Sequence, residues 1–150
     1  MGCARSYYRK VSDDPQSKPF PPLSLEEVAQ LLPGTGEIMA SVGIAWWKCA
    51  YAARGGNWEL AAYFARRVRS LQRKLGRIRP KYADDLVAFE TEHLAAVLAA
   101  LGAHNGPAFE RAYASATDAA NDLHVKWAKP YIRWVLPDEP PKDLDLDLDR

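Results

Sequence analysis

The chain has 150 residues, a formal net charge of +1 and 48% hydrophobic residues. That length suits one domain that buries its own core without disulfides or metals, and the near-zero charge supplies no global field for nucleic acid or anionic lipid. Five Trp, seven Tyr and four Phe imply an interior, or a pocket, with large flat surfaces.

Residues 1–23 read as an extended arm, because Pro15, Pro19, Pro21 and Pro22 oppose regular structure. Its opening Met1-Gly2-Cys3-Ala4-Arg5-Ser6 fits the N-myristoylation pattern, one so short that coincidence accounts for it. No charged-then-apolar leader is present and no apolar run reaches membrane-spanning length. The two cysteines, Cys3 and Cys49, lie in the arm and in a predicted helix, which suggests reduced thiols. A cytoplasmic protein with no membrane partner is the expectation.

Beyond the arm the strong periodicities are helical. Ser24 with Glu27 three residues on predicts a capped short helix over 25–32, ended by Pro33-Gly34. A first long helix is predicted over about 36–53, with an inward stripe of Ile38, Val42, Trp46, Cys49, Ala50 and Ala53. Arg54-Gly55-Gly56 breaks the chain, and Asn57 caps a second long helix over about 58–78. That helix sets Leu60, Phe64, Val68, Leu71 and Leu75 against a basic face of Arg66, Arg69, Arg73 and Arg77, with Arg67 and Lys74 beside it. Pro80 stops it.

A third helix is predicted over about 83–101, and the fourth from Pro107 to about Lys126. The fourth places Phe109, Tyr113, Ala116, Ala120, Leu123 and Trp127 inward, a 4-3-4-3-4 spacing that matches left-handed bundle packing. Pro137, Pro140 and Pro141 then open an alternating Asp/Leu stretch, whose repelling carboxylates predict a disordered acidic tail over 137–150. The fold expected is all-α: an antiparallel four-helix bundle over 24–136 between the arm and the tail.

Two segments carry a family resemblance. The first is Gly56-Asn57-Trp58-Glu59-Leu60-Ala61-Ala62-Tyr63, after a helix holding Lys48 and Tyr51. The second is Phe109-Glu110-Arg111-Ala112-Tyr113 followed by Ala120-Asn121-Asp122-Leu123-His124, with Pro130 beyond. Together they resemble small bacterial c-type cytochromes related in plan to the class II four-helix cytochromes. The resemblance implies Cys-Asn-x-Cys-His at 120–124, where two thioethers hold haem and the His ligates iron. Here the thioether positions are Ala120 and Leu123, so covalent haem cannot form. His124 alone remains, which leaves non-covalent haem open. The resemblance thus implies a relative that kept the bundle and lost covalent haem.

Read by chemistry, Glu90 is the outlier, a carboxylate among Leu86, Leu94, Val97 and Leu101 on the third helix. Burial there predicts a raised pKa suited to acid–base work, and pairing with an Arg is the alternative. His93 and His124 flank the inward faces and could move protons or hold a ligand; Tyr113 completes a candidate acid–base set. Glu90-Thr91-Glu92-His93 spells the Glu-x-x-His of di-iron bundles, but the second such motif is missing, so no metal site is expected. Trp46, Cys49, Phe64, Ala120 and Trp127 are the candidate pocket wall, with core packing as the competing reading.

Three functions fit. The first is a haem-free bundle binding a small apolar or aromatic molecule in its interior. The second is a cofactor-independent lyase or isomerase using Glu90, His93, His124 and Tyr113. The third is an interaction protein using the basic face of the second long helix. The basic face lacks interleaved aromatics, so nucleic acid is not expected. A homodimer is left open.

Overall fold

A computed structural model describes residues 22–147, in two compact units divided after Leu32. Among the described residues every regular element is helical. The predicted arm falls almost wholly outside them.

The described part of the first unit is α1, Leu25–Gln30, an exposed helix. Its start is fixed as the sequence predicts. The Ser24 hydroxyl accepts the Glu27 N–H, and the Glu27 carboxylate accepts the Ser24 N–H at 2.8 Å.

The second unit begins at Pro33. Its elements are α2 (Thr35–Arg54), α3 (Trp58–Ile78), a 3-10 turn (Pro80–Tyr82), α4 (Ala83–Phe89), a π turn (Glu90–Leu94), α5 (Ala95–Gly102) and α6 (Gly106–Lys126). The third predicted helix is therefore one helical run whose middle turn widens to π geometry, a local shift that periodicity does not reveal. Gly34 gives its N–H to the Glu37 carboxylate at 2.6 Å to start α2. Gly56 takes φ +74° after α2, and Asn57 Oδ1 accepts the Leu60 N–H to start α3. Asn105 does the same for Ala108, which begins α6 one residue before the predicted Pro107.

α2 packs on α3, α3 on α4 and α5, α5 on α6, and α6 returns to α2 and α4. Val42, Cys49, Val68, Leu94, Val97, Leu101 and Phe109 are the largest fully buried side chains between them. Their burial is the main favourable contribution to folding. The inward stripes predicted for α2 and α6 supply much of this core.

The tail expectation is corrected over residues 137–147. Tyr51 donates its hydroxyl to the Pro137 carbonyl at 2.8 Å, and Trp47 Nε1 donates to the Glu139 carbonyl at 3.2 Å. Lys48, buried on α2, pairs with Asp143. Leu146 is only 5% exposed. The physical reason lies on α2: a buried ammonium needs a carboxylate, and the acidic stretch provides one.

Candidate functional site

Two aromatic groupings occupy different parts of the second unit. In the first, the Trp46 and Tyr113 rings stack at 4.3 Å and 9°. Tyr113 donates its hydroxyl to the Trp46 carbonyl at 3.0 Å, Trp46 Nε1 donates to Thr117 Oγ1 at 2.9 Å, and Thr117 donates to the Tyr113 carbonyl. Cys49 and Phe109 are buried in the same core. Each polar atom of this stack has a partner, so it locks one packing arrangement.

The second grouping surrounds a cavity of about 830 Å³. α2 contributes Met39, Ala40, Gly43, Ile44 and Trp47, a stripe beside the one facing the core. α4 and the turn before it add Tyr82, Asp85, Leu86 and Phe89. α6 adds Ala120, Leu123 and His124, and Trp127 follows at its end. The last wall is the chain beyond α6, residues 132–137 with Lys129.

The geometry that brings this last wall into place is local. Ala128 adopts φ +57° and Lys129 donates its N–H to the His124 carbonyl at 2.7 Å, which turns the chain at the end of α6. Asn121 then clamps the Trp134 backbone twice, accepting its N–H at 2.7 Å and donating to its carbonyl at 3.1 Å. The Trp134 ring lies over Gly43, where an added Cβ would sit 3.5 Å from it.

The cavity holds few polar groups, and they differ in how far they are satisfied. Asp85 receives Lys126 Nζ at 2.6 Å and Trp127 Nε1 at 2.8 Å. The Lys126 contact holds its carboxyl below the usual carboxylate range, against the opposing effect of burial. Gln72 is only 6% exposed, and its Oε1 has no hydrogen-bond partner. His124 Nδ1 is shielded from solvent with no well-formed hydrogen bond, the Ile132 backbone being the polar group that draws on it. Burial lowers the His124 pKa, and the Ile132 backbone opposes this. The neutral ring is therefore favoured.

The candidate acid–base set does not assemble. Glu90 is corrected: it forms a two-pronged ion pair with Arg73, at 2.8 and 2.5 Å, and its side chain is 21% exposed. That pairing lowers its pKa instead of raising it. Arg73, in the C-terminal part of α3, reaches an acid that the single-helix pattern placed inward. His93 tilts against Phe89 at 5.7 Å and does not line the cavity. Tyr113 reaches the cavity wall, but its proton is committed to Trp46 and burial raises its pKa.

The candidate pocket wall divides. Ala120 and Trp127 line the cavity; Trp46, Cys49 and Phe64 belong to the closed core. Burial pushes the Cys49 thiol up to about 12, against the Ala65 backbone contact, so it stays a neutral, small hydrophobe. Trp47, Tyr82, Phe89 and Trp134 are cavity residues that the sequence reading missed. The face of α2 bearing Met39, Gly43 and Trp47 was the available signal, since it repeats at helical spacing next to the core stripe.

The chain matches no protein-family model, no curated protein and no solved structure. Among the described residues no three metal-ligating side chains converge, and no helix is long and apolar enough to cross a membrane. For the haem that the sequence resemblance implies, Ala120 and Leu123 do line the cavity but carry no thiol. The chain does not fit covalent attachment; only the His124 ring remains of that set.

Proposed function

We propose that this chain is a haem-free, cytochrome-like antiparallel four-helix bundle that binds a small apolar or aromatic molecule between α2, α4 and α6. The observation that carries the reading is the cavity itself: about 830 Å³ walled by Trp47, Trp127 and Trp134, with Tyr82 and Phe89 between them. Its size falls within the range of small-molecule sites, which are mostly apolar with a few placed polar groups. Unfilled space beside aromatic faces forfeits dispersion contacts that a flat guest restores. The order of packing, α2 on α3, α3 on α4 and α5, α5 on α6 and α6 on α2, supports the bundle. Alternating direction follows from the short links between long helices.

The test is a titration with pyrene, a neutral flat hydrocarbon, followed by quenching of tryptophan fluorescence. Saturable binding is expected. Ala120→Phe, which fills the cavity from α6, should abolish it while leaving the helical circular dichroism unchanged. No saturable binding to the wild-type chain, or undiminished binding to Ala120→Phe, overturns the reading. Native mass spectrometry of the purified protein identifies any retained molecule, and a haem absorption band would assign non-covalent haem instead.

A further inference from the structure

The charge and hydrogen-bonding groups of the cavity are not balanced, and the imbalance selects among apolar guests. Lys129 and Arg133 both line it, on the segment that leaves α6. Among the described residues neither has a carboxylate partner in an ion pair. Asp85, the acidic group of the wall, is already neutralised by Lys126 and held by Trp127. The cavity wall therefore includes two cationic residues, Lys129 half-buried and Arg133 exposed at its rim, and no free carboxylate. Gln72 lies in the same wall, more than nine-tenths buried, with its Oε1 unpartnered. A buried acceptor without a donor is costly, and a guest carrying an N–H or O–H removes that cost.

The geometry points to an aromatic carboxylic acid with one hydrogen-bond donor on its ring system as the ligand class. The inference rests on the binding reading above and adds charge and polarity to it. The ring body lies among Trp47, Trp127 and Trp134. The ring donor gives its hydrogen to Gln72 Oε1. The carboxylate meets Lys129 and Arg133, where an ammonium and a guanidinium can form charge-assisted hydrogen bonds to it. His124, kept neutral by partial burial, adds no third cation near neutral pH, so the carboxylate is left to Lys129 and Arg133. The aromatic walls supply affinity for any flat molecule; the two cations and the amide distinguish the acid from its neutral relatives.

The experiment is isothermal titration calorimetry with three probes: indole-3-butyric acid, its methyl ester, and the N-methylindole acid. The acid is expected to bind at least about tenfold more tightly than the ester, the scale of one charge-assisted hydrogen bond. That gap should shrink as salt is raised and close in the double variant Lys129→Gln, Arg133→Gln. These two side chains stand on an irregular segment and not in the core, so the variant keeps the fold, checked by circular dichroism. The N-methyl acid should bind more weakly than the acid, and Gln72→Leu should remove that difference. Equal binding of acid and ester overturns the inference and leaves pyrene binding intact. So does a preference for the acid that survives the double variant. If pyrene and all three probes fail to bind, the binding reading itself falls.

Discussion

Trp46 and Trp47 are adjacent in sequence and lie about 100° apart around α2. Trp46 faces the closed region, stacked on Tyr113 and hydrogen-bonded to Thr117. Trp47 faces the open region, lining the cavity and donating to a carbonyl of the C-terminal segment. One region is filled by large side chains whose polar atoms are all paired with one another. The other is walled partly by a non-helical segment and leaves Gln72 Oε1 unpaired. Stability and the proposed binding thus fall on two faces of one helix, and substitutions on each should separate them.

The largest effect should come from truncating the two tryptophans. Trp46→Ala leaves a hole in a dense core and removes the stack on Tyr113, at a cost of about 3–5 kcal/mol. Denaturant unfolding should show the midpoint falling accordingly. Trp47→Ala removes a half-buried ring from an open wall. Its stability cost should be well below that of Trp46→Ala, and its loss of pyrene affinity larger. Equal destabilisation by both changes would erase the distinction between the regions.

Gly55 tests whether the end of the C-terminal segment is seated against α2. A Cβ there would lie 2.5 Å from Asp147 Oδ1 and 3.2 Å from the Leu146 carbonyl. Backbone atoms cannot yield as a flexible side chain does, so Gly55→Ala should displace the segment, at about 1–3 kcal/mol. Hydrogen exchange should quicken at Leu146 and Asp147 while amides around Trp46 and Tyr113 stay protected.

How much of this was legible in the sequence follows the same division. The core stripe of α2, the Phe109–Tyr113–Ala116 stripe of α6 and the caps at Ser24 and Asn57 follow from local rules, since each is decided within one helix or one turn. The cavity is not decided that way. Its second wall on α2 looks like an unremarkable half-apolar surface until residues 132–137 cover it. Lys48 is buried only because Asp143, 95 residues later, reaches it. Glu90 stayed open between burial and pairing with an Arg for the same reason: the Arg73 that decides for pairing is on another helix. The periodicity showed where apolar side chains recur, and long-range pairing decided which polar ones are tolerated among them.

Ala128 should give a smaller effect of opposite sign. An alanine at φ +57° carries a backbone cost of about 1–2 kcal/mol that glycine largely avoids. Ala128→Gly should therefore raise stability by about 1 kcal/mol, offset in part by the greater freedom glycine has in the unfolded chain. The cavity should stay intact, because Asn121 still clamps Trp134. A destabilised Ala128→Gly would mean that the turn is held by something other than this backbone angle.

The smallest effect is a pH dependence confined to the open region. In the closed region Cys49 is pushed up to about 12 and Tyr113 is raised by burial, so neither changes charge between pH 5 and 8. In the open region His124 is lowered from 6.5, first by burial, with its ring edge-on to Trp134 at 5.7 Å. A depressed histidine binds its proton more readily in the unfolded chain than in the folded one. Its contribution is therefore fully present above about pH 6.5, the unfolded value, and is lost as pH falls through that value toward the folded one. Asp85, lowered by its Lys126 contact, works in a different window: it stabilises above its unfolded value near 4 and fails only below that. Between pH 7.5 and 5 the loss should thus come from His124, and because the ring is only partly buried it should stay below about 1 kcal/mol. Urea unfolding of wild type and His124→Gln at both pH values measures it. The variant should lose less stability on acidification than the wild type, and an identical loss in both would place the titrating group elsewhere.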